Sequence, residues 1–215
     1  MMNNKRGKIF FFTLNQDLFV ERYFQYYIDE KPVFPGIKLG NKLFDIATVP
    51  REQELKKNIH NLNIPGELFY VKLHGSCNWR DSENQTKLLI GKNKQEQIEV
   101  EPIFKQYFQL FKDALSLPAR RLLIIGYGFR DSHINKVIAE SIKKYNLKIF
   151  IICPTDPEDF LNKTLKNSGD YKDTIWNAVE GYYPYPFEEI FHYDDSLSQV
   201  QAHYYNNLVE DFIDN

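Results

Sequence analysis

The amino-acid sequence predicts an α/β fold built on a mostly parallel sheet. Three apolar runs carry that prediction: Ile9-Phe10-Phe11-Phe12-Thr13, Leu122-Leu123-Ile124-Ile125 and Ile149-Phe150-Ile151-Ile152. None of them alternates with polar residues, which is the pattern of strands covered on both faces, and segments of helical period separate them. Each run stops at small or polar residues. Such ends place chemistry at the carboxyl edge of a sheet, where open α/β sheets bind their ligands.

The elements follow in order. Residues 8–13 read as a buried strand, and residues 16–29 as a helix, because Leu18, Phe19, Tyr23, Tyr26 and Tyr27 recur at helical spacing. Pro32, Pro35, Gly36 and Gly40 punctuate a loop, and the polar segment 51–63 reads as a short helix or an irregular excursion. A second buried strand, 68–73, ends at His74. Between Trp79 and Val100 an inserted hairpin is expected, with Leu88-Leu89-Ile90-Gly91 pairing with Ile98-Glu99-Val100. The stripe of Ile103, Phe104, Tyr107, Phe108, Phe111 and Leu115 predicts a helix over 102–116 that Pro118 ends. After the strand 121–125, Asp131 or Ser132 caps a helix carrying Ile134, Val137, Ile138, Ile142 and Tyr145 on one side. The strand 149–152 closes at Cys153-Pro154. Residues 155–215 read as helices around a Tyr/Pro-rich loop, Gly181 to Phe187, with a last amphipathic helix carrying Val200, Tyr204, Leu208 and Phe212.

Composition narrows the partners. Aromatic residues make up 15% of the chain, with 17 Phe and 14 Tyr, so the core is expected to be aromatic-rich. The net charge is −2 and Lys and Arg form no stripe, which disfavours nucleic acid as a direct partner. Lys56-Lys57 and Arg120-Arg121 read as solvated surface or element ends. Cys77 and Cys153 are the only cysteines and stand far apart, so no disulfide framework and no four-cysteine zinc module can be built. A reducing, cytoplasmic setting is the simplest expectation. The basic start, Met1 to Lys8, is followed by a short apolar run and a polar turn rather than a small-residue cleavage site, and does not read as a signal peptide. No apolar stretch approaches the length of a membrane span.

Three strand ends hold the candidate functional residues: Thr13-Leu14-Asn15-Gln16-Asp17, His74-Gly75-Ser76 and Gly126-Tyr127-Gly128-Phe129-Arg130-Asp131. Each has a purely structural reading as well. Asn15 and Asp17 suit the cap of the following helix. His74 suits a hydrogen-bonded histidine at a strand end, and Gly126-Tyr127-Gly128 a strand-to-helix turn needing positive φ. Asp131 is expected as a cap rather than a catalytic carboxylate. His60, His133, His192 and His203 show no ligand spacing and are expected to be structural or surface residues.

In order and approximate spacing, these three stretches resemble the sirtuin-like NAD-binding domains of bacterial defence proteins. The third, extended by Ser132-His133-Ile134-Asn135, follows the G-Y-S/G-F-x-D variant of that group rather than the G-[ST]-S segment of protein-deacylating sirtuins. The resemblance covers roughly 8–155 and implies a Rossmann-like, sirtuin-type sheet over 1–155, with 156–215 a helical carboxyl-terminal extension packed on it. It implies NAD as substrate and cleavage of the nicotinamide–ribose bond, through an oxocarbenium-like transition state like that of glycoside cleavage. By resemblance Asn15 orients water or a ribose hydroxyl, Asp17 braces it, and His74 acts as general base, a task suited to imidazole at neutral pH. Thr13, Gly126, Tyr127 and Gly128 would contact the ribose or a phosphate, and Cys153 and Thr155 would flank adenosine.

Two departures from the family shape the expectation. Sirtuin-type domains open with a strand and a Gly-rich turn that binds the pyrophosphate at a helix amino terminus. This chain starts at what would be the Asn-bearing strand, which implies either a fragment of a longer protein or a domain without half its cofactor platform. An uncovered sheet edge there would invite a partner chain or homo-oligomer. The absent zinc module makes deacylation of a protein the poorer expectation and NAD hydrolysis, in anti-phage defence, the better one. The alternative is a catalytically silent module that binds a partner protein or an ADP-ribose-like nucleotide.

Overall fold

The computed structural model describes residues 8–60, 68–191 and 199–214. The chain divides into two compact units, 1–111 and 112–215.

In the first unit, β1 (Ile9–Thr13) pairs in parallel with β3 (Leu68–Lys72), Ile9 opposite Leu68 and Thr13 opposite Lys72. Between them run α1 (Phe19–Tyr27), β2 (Ala47–Thr48) and α2 (Glu52–His60). β2 lies parallel to β4 (Gly75–Arg80), which pairs antiparallel with β5 (Thr86–Leu88). The expected hairpin of 88–91 with 98–100 does not form; the antiparallel pair in this region is 75–80 with 86–88. Residues assigned in sequence to its return strand form α3 (Lys94–Val100) instead. Ile98 is the anchor of that helix at 5% exposed, whereas Val100 is 78% exposed, so the apolar pair separated by two residues marked one buried helical position and not an alternating strand. α4 (Pro102–Leu115) opens with proline at its first position, where no amide is missed, and buries Ile103, Phe104, Tyr107 and Phe111 as expected. Its aromatic face meets the sheets: Phe111 packs edge-on to Phe12 at 5.0 Å between ring centroids, and Tyr107 to Trp79 at 5.7 Å.

In the second unit, β6 (Arg121–Ile125), β7 (Lys148–Ile152) and β8 (Val179–Tyr183) form a parallel three-stranded sheet in that order. α5 (Ser132–Tyr145) connects β6 to β7 and buries Ile134, Val137 and Ile138; it ends at Asn146, which takes the left-handed conformation (φ 56°) that closes helices. After β7, Asp156 caps α6 (Pro157–Asp159) by accepting from the amides of Glu158 and Asp159, and a π turn (Phe160–Thr164), a 3-10 stretch (Leu165–Tyr171) and α7 (Lys172–Trp176) follow. The segment read as a Tyr/Pro-rich loop, 181–187, begins inside β8, so the tail is mainly helical yet contributes a strand. β8 shares a core with α8 (Phe187–Ile190) and α9 (Gln199–Val209), in which Phe150, Ile152, Tyr183, Ile190 and Leu208 are buried and Phe212 packs against them. The expected contributions of the Val200 and Tyr204 side chains, of the His60 side chain and of His192 lie outside the described residues. Among the described residues, no helix is long and apolar enough to cross a membrane.

Candidate functional site

The parallel register of β1 and β3 sets the first group of candidate residues. Thr13 stands opposite Lys72, so the segments that carry Asn15 and His74, each two residues further on, leave the same carboxyl edge. The Leu73 amide continues the ladder to the Thr13 carbonyl at 2.9 Å. The Thr13 hydroxyl accepts the Asn15 amide at 3.0 Å, and the Asp17 carboxylate accepts the amide of Phe19, two residues on, at 3.1 Å, a turn bond just before the cap position rather than the cap expected. Asn15 makes no such cap bond to α1, whose cap position is Leu18. Asn15 and Asp17 are exposed, whereas His74 is 4% exposed. Gly75 follows with φ +78°, and a Cβ there would overlap the Lys87 carbonyl oxygen, so the residue after His74 has to be glycine.

Beneath this edge lies a network that sequence reasoning missed. Lys72, fully buried, is ion-paired to Glu21 at 2.7 Å and also donates to the Asp17 carbonyl oxygen. The Tyr70 hydroxyl donates to the second Glu21 oxygen at 3.4 Å, and burial, with the Glu21 charge beside it, pushes the phenol well above its ordinary pKa. Tyr70 therefore stays a neutral donor. A signal existed: Lys72 interrupts an otherwise apolar strand, and a charge there demands a partner. Its partner, one helix away, could not be read from spacing.

The second unit holds the other candidates. A pocket of about 210 Å3 opens at the carboxyl ends of β6 and β7, lined by Ile124, Gly126, Tyr127, Gly128, Ile151, Ile152, Cys153, Phe160 and Thr164. Four of the predicted residues thus share one cavity. Gly126 has φ +64°, the positive value anticipated, and a Cβ at Gly126 or Gly128 would meet nothing within 4 Å, so both backbones face open space. Phe129 takes a left-handed φ of 55°, costly for an aromatic residue, and is held there by complete burial against Tyr127 and Phe160. Asn135, 1% exposed, ties the loop: its amide donates to the Phe129 carbonyl at 2.8 Å and its oxygen accepts from the Tyr127 hydroxyl at 2.8 Å. Burial and the nearby Asp131 carboxylate raise the Tyr127 pKa, keeping that hydroxyl a donor. Asp131 sits at the cap position of α5 without a side-chain cap bond; its carbonyl accepts the Ile134 and Asn135 amides. Thr155 lies beside the pocket rather than in its lining, with its hydroxyl 3.5 Å from the Cys153 sulfur and its carbonyl accepting from the Tyr182 hydroxyl at 2.7 Å. Asn135→Ala removes the donor to the Phe129 carbonyl and leaves the Tyr127 hydroxyl only its 3.2 Å bond to the Asp131 carbonyl, and we expect it to lower unfolding free energy by about 1–3 kcal/mol, measured by urea unfolding.

Parallel α/β sheets with polar turns and an open pocket at their carboxyl edges define a ligand-binding α/β domain. The chain belongs to the SIR2-like domain family, whose family model matches residues 9–171 and spans all three polar strand ends. A comparison with curated proteins finds no match.

Proposed function

We propose that this SIR2-like chain cleaves NAD to nicotinamide and ADP-ribose. The observation that carries this reading is the shared edge of β1 and β3, which sets Asn15 beside the end bearing His74. Asn15 orients the attacking water or a ribose hydroxyl without adding a charge, Asp17 and Thr13 hold its turn, and His74 accepts the proton. A carboxamide suits a centre that becomes cationic as the glycosidic bond breaks, and a largely buried imidazole is shielded from bulk water. The pocket lined by Gly126, Tyr127, Gly128 and Cys153 suits a nucleotide, and the Thr155 hydroxyl lies 3.5 Å from the Cys153 sulfur. Its apolar walls suit a ring face, and its open glycine backbones suit the close approach of a ribose or phosphate. The G-Y-G-F-x-D loop and the free cysteines, Cys77 exposed, support a cytoplasmic defence role in which infection triggers NAD depletion. The test is release of nicotinamide from NAD by the purified chain, followed by chromatography. Release establishes the activity. None, even at high protein concentration, overturns it.

One set of observations favours the second reading, a module that binds a partner protein or another copy of itself. Phe19, Tyr23, Tyr26 and Tyr27 form a solvent-facing aromatic side of α1, between 43% and 74% exposed, and Ile9 and Phe11 of β1 are exposed as well. Calorimetric titration with NAD and with ADP-ribose separates the readings, since a pure scaffold binds neither.

A further inference from the structure

We propose that Gln16 is a positioning residue that locks the Asn15 turn to the His74 turn. The proposal rests on the assignment of Asn15 and His74 as the reacting pair. The Gln16 side-chain nitrogen donates to two carbonyl oxygens, those of His74 and Leu89, each at 2.9 Å, which uses both of its protons. The Gln16 carbonyl accepts the Cys77 amide at 3.0 Å. The Leu89 amide in turn donates to the His74 carbonyl at 3.0 Å, so β1's turn, the β3–β4 turn and the chain after β5 meet on one amide. Asn15 is therefore fixed on both sides by the segment that carries His74: Thr13 before it bonds Leu73, and Gln16 after it bonds His74. The Gln16 amide serves backbone oxygens rather than a substrate, and a small rotation of its turn would change the separation of the two reacting groups.

Chemistry singles out the amide. Two converging carbonyl oxygens require a group with two N–H donors, which asparagine or glutamine supplies and a carboxylate does not. Glutamate in its place presents charge to two oxygens, and on protonation regains one donor only. A merely structural residue would not convert that change into a pH-dependent rate.

The experiment compares Gln16→Ala and Gln16→Glu with the unaltered chain. Gln16→Ala is expected to lower kcat for nicotinamide release by about 10–100-fold, the scale of a sub-ångström to 1 Å misplacement, with little change in KM. Gln16→Glu is expected to be as slow near neutral pH and to recover, relative to the unaltered chain, as pH falls from about 7 to about 5 while the introduced carboxyl protonates. Wild-type kcat in folded Gln16→Ala, or a Gln16→Glu profile parallel to wild type, overturns the proposal. If the unaltered chain releases no nicotinamide, the cleavage reading fails, and nuclear magnetic resonance still decides the clamp. Movement of the Asn15 amide and His74 ring signals in Gln16→Ala supports it, and unmoved signals overturn it.

Discussion

Lys72→Met is expected to lower the unfolding free energy by about 3–5 kcal/mol, because it strands the Glu21 carboxylate in the interior. Glu21 is 1% exposed, and its two oxygens are served by Lys72 and Tyr70. Water cannot replace the lost ammonium without opening the contact between α1 and β3. Methionine restores the volume of the lysine stem, so the loss measures the charge rather than a cavity. The double variant Lys72→Met/Glu21→Leu removes both charges and is expected to recover most of the loss, since a buried pair replaced by apolar residues of similar size is often neutral. The Asp17 carbonyl still loses a donor in the double variant, so recovery stops short of complete. Urea unfolding followed through Trp79, buried in the same unit, measures all three chains. A single variant as stable as wild type would mean that the pair contributes nothing.

His74→Ala is expected to slow nicotinamide release by about 10²–10⁴-fold, the usual weight of a positioned general base. Its carbonyl, which accepts from Gln16 and Leu89, survives the substitution, so the turn keeps its main-chain bonds. Because the ring is buried, His74→Gln is the companion that fills its space without supplying an imidazole. Asn15→Ala is the cleaner probe of the same step. Asn15 is exposed, so its loss should shift stability by no more than about 0.5 kcal/mol while abolishing most turnover. Unchanged turnover after His74→Ala in a folded preparation would remove the assigned mechanism and leave the cleavage activity to other groups.

Much of the fold was legible in the sequence, and its legibility has a physical basis. β3 and β7 are buried along most of their length, and that burial leaves apolar runs that local inspection finds; β1 and β6 carry apolar runs as well, but Ile9, Phe11 and Ile125 are exposed, so the strand at 8–13 is only partly buried where a buried one was expected. α4 and α5 reveal themselves through their 3.6-residue stripes, and Gly126 through a positive φ that other residues resist. The candidate residues were legible for the same reason: a strand that ends abruptly in Asn, His or Gly advertises its carboxyl edge.

What only the tertiary structure decided depends on partners distant in sequence. Ile98-Glu99-Val100 satisfies a strand and a helix equally on paper; β4 pairs with β5, and those three residues complete α3. The end of β8, 181–183, reads as part of a Tyr/Pro-rich loop because a five-residue strand has no signature apart from the neighbour it pairs with, here β7. The Glu21–Lys72 pair and the Gln16 clamp join residues 51 and 58 positions apart. Sequence alone marked which strand ends carry polar and glycine residues, because burial and periodicity are written locally. The groups that hold those ends in place were settled by the fold, because a hydrogen bond between distant segments exists only once both segments have been packed.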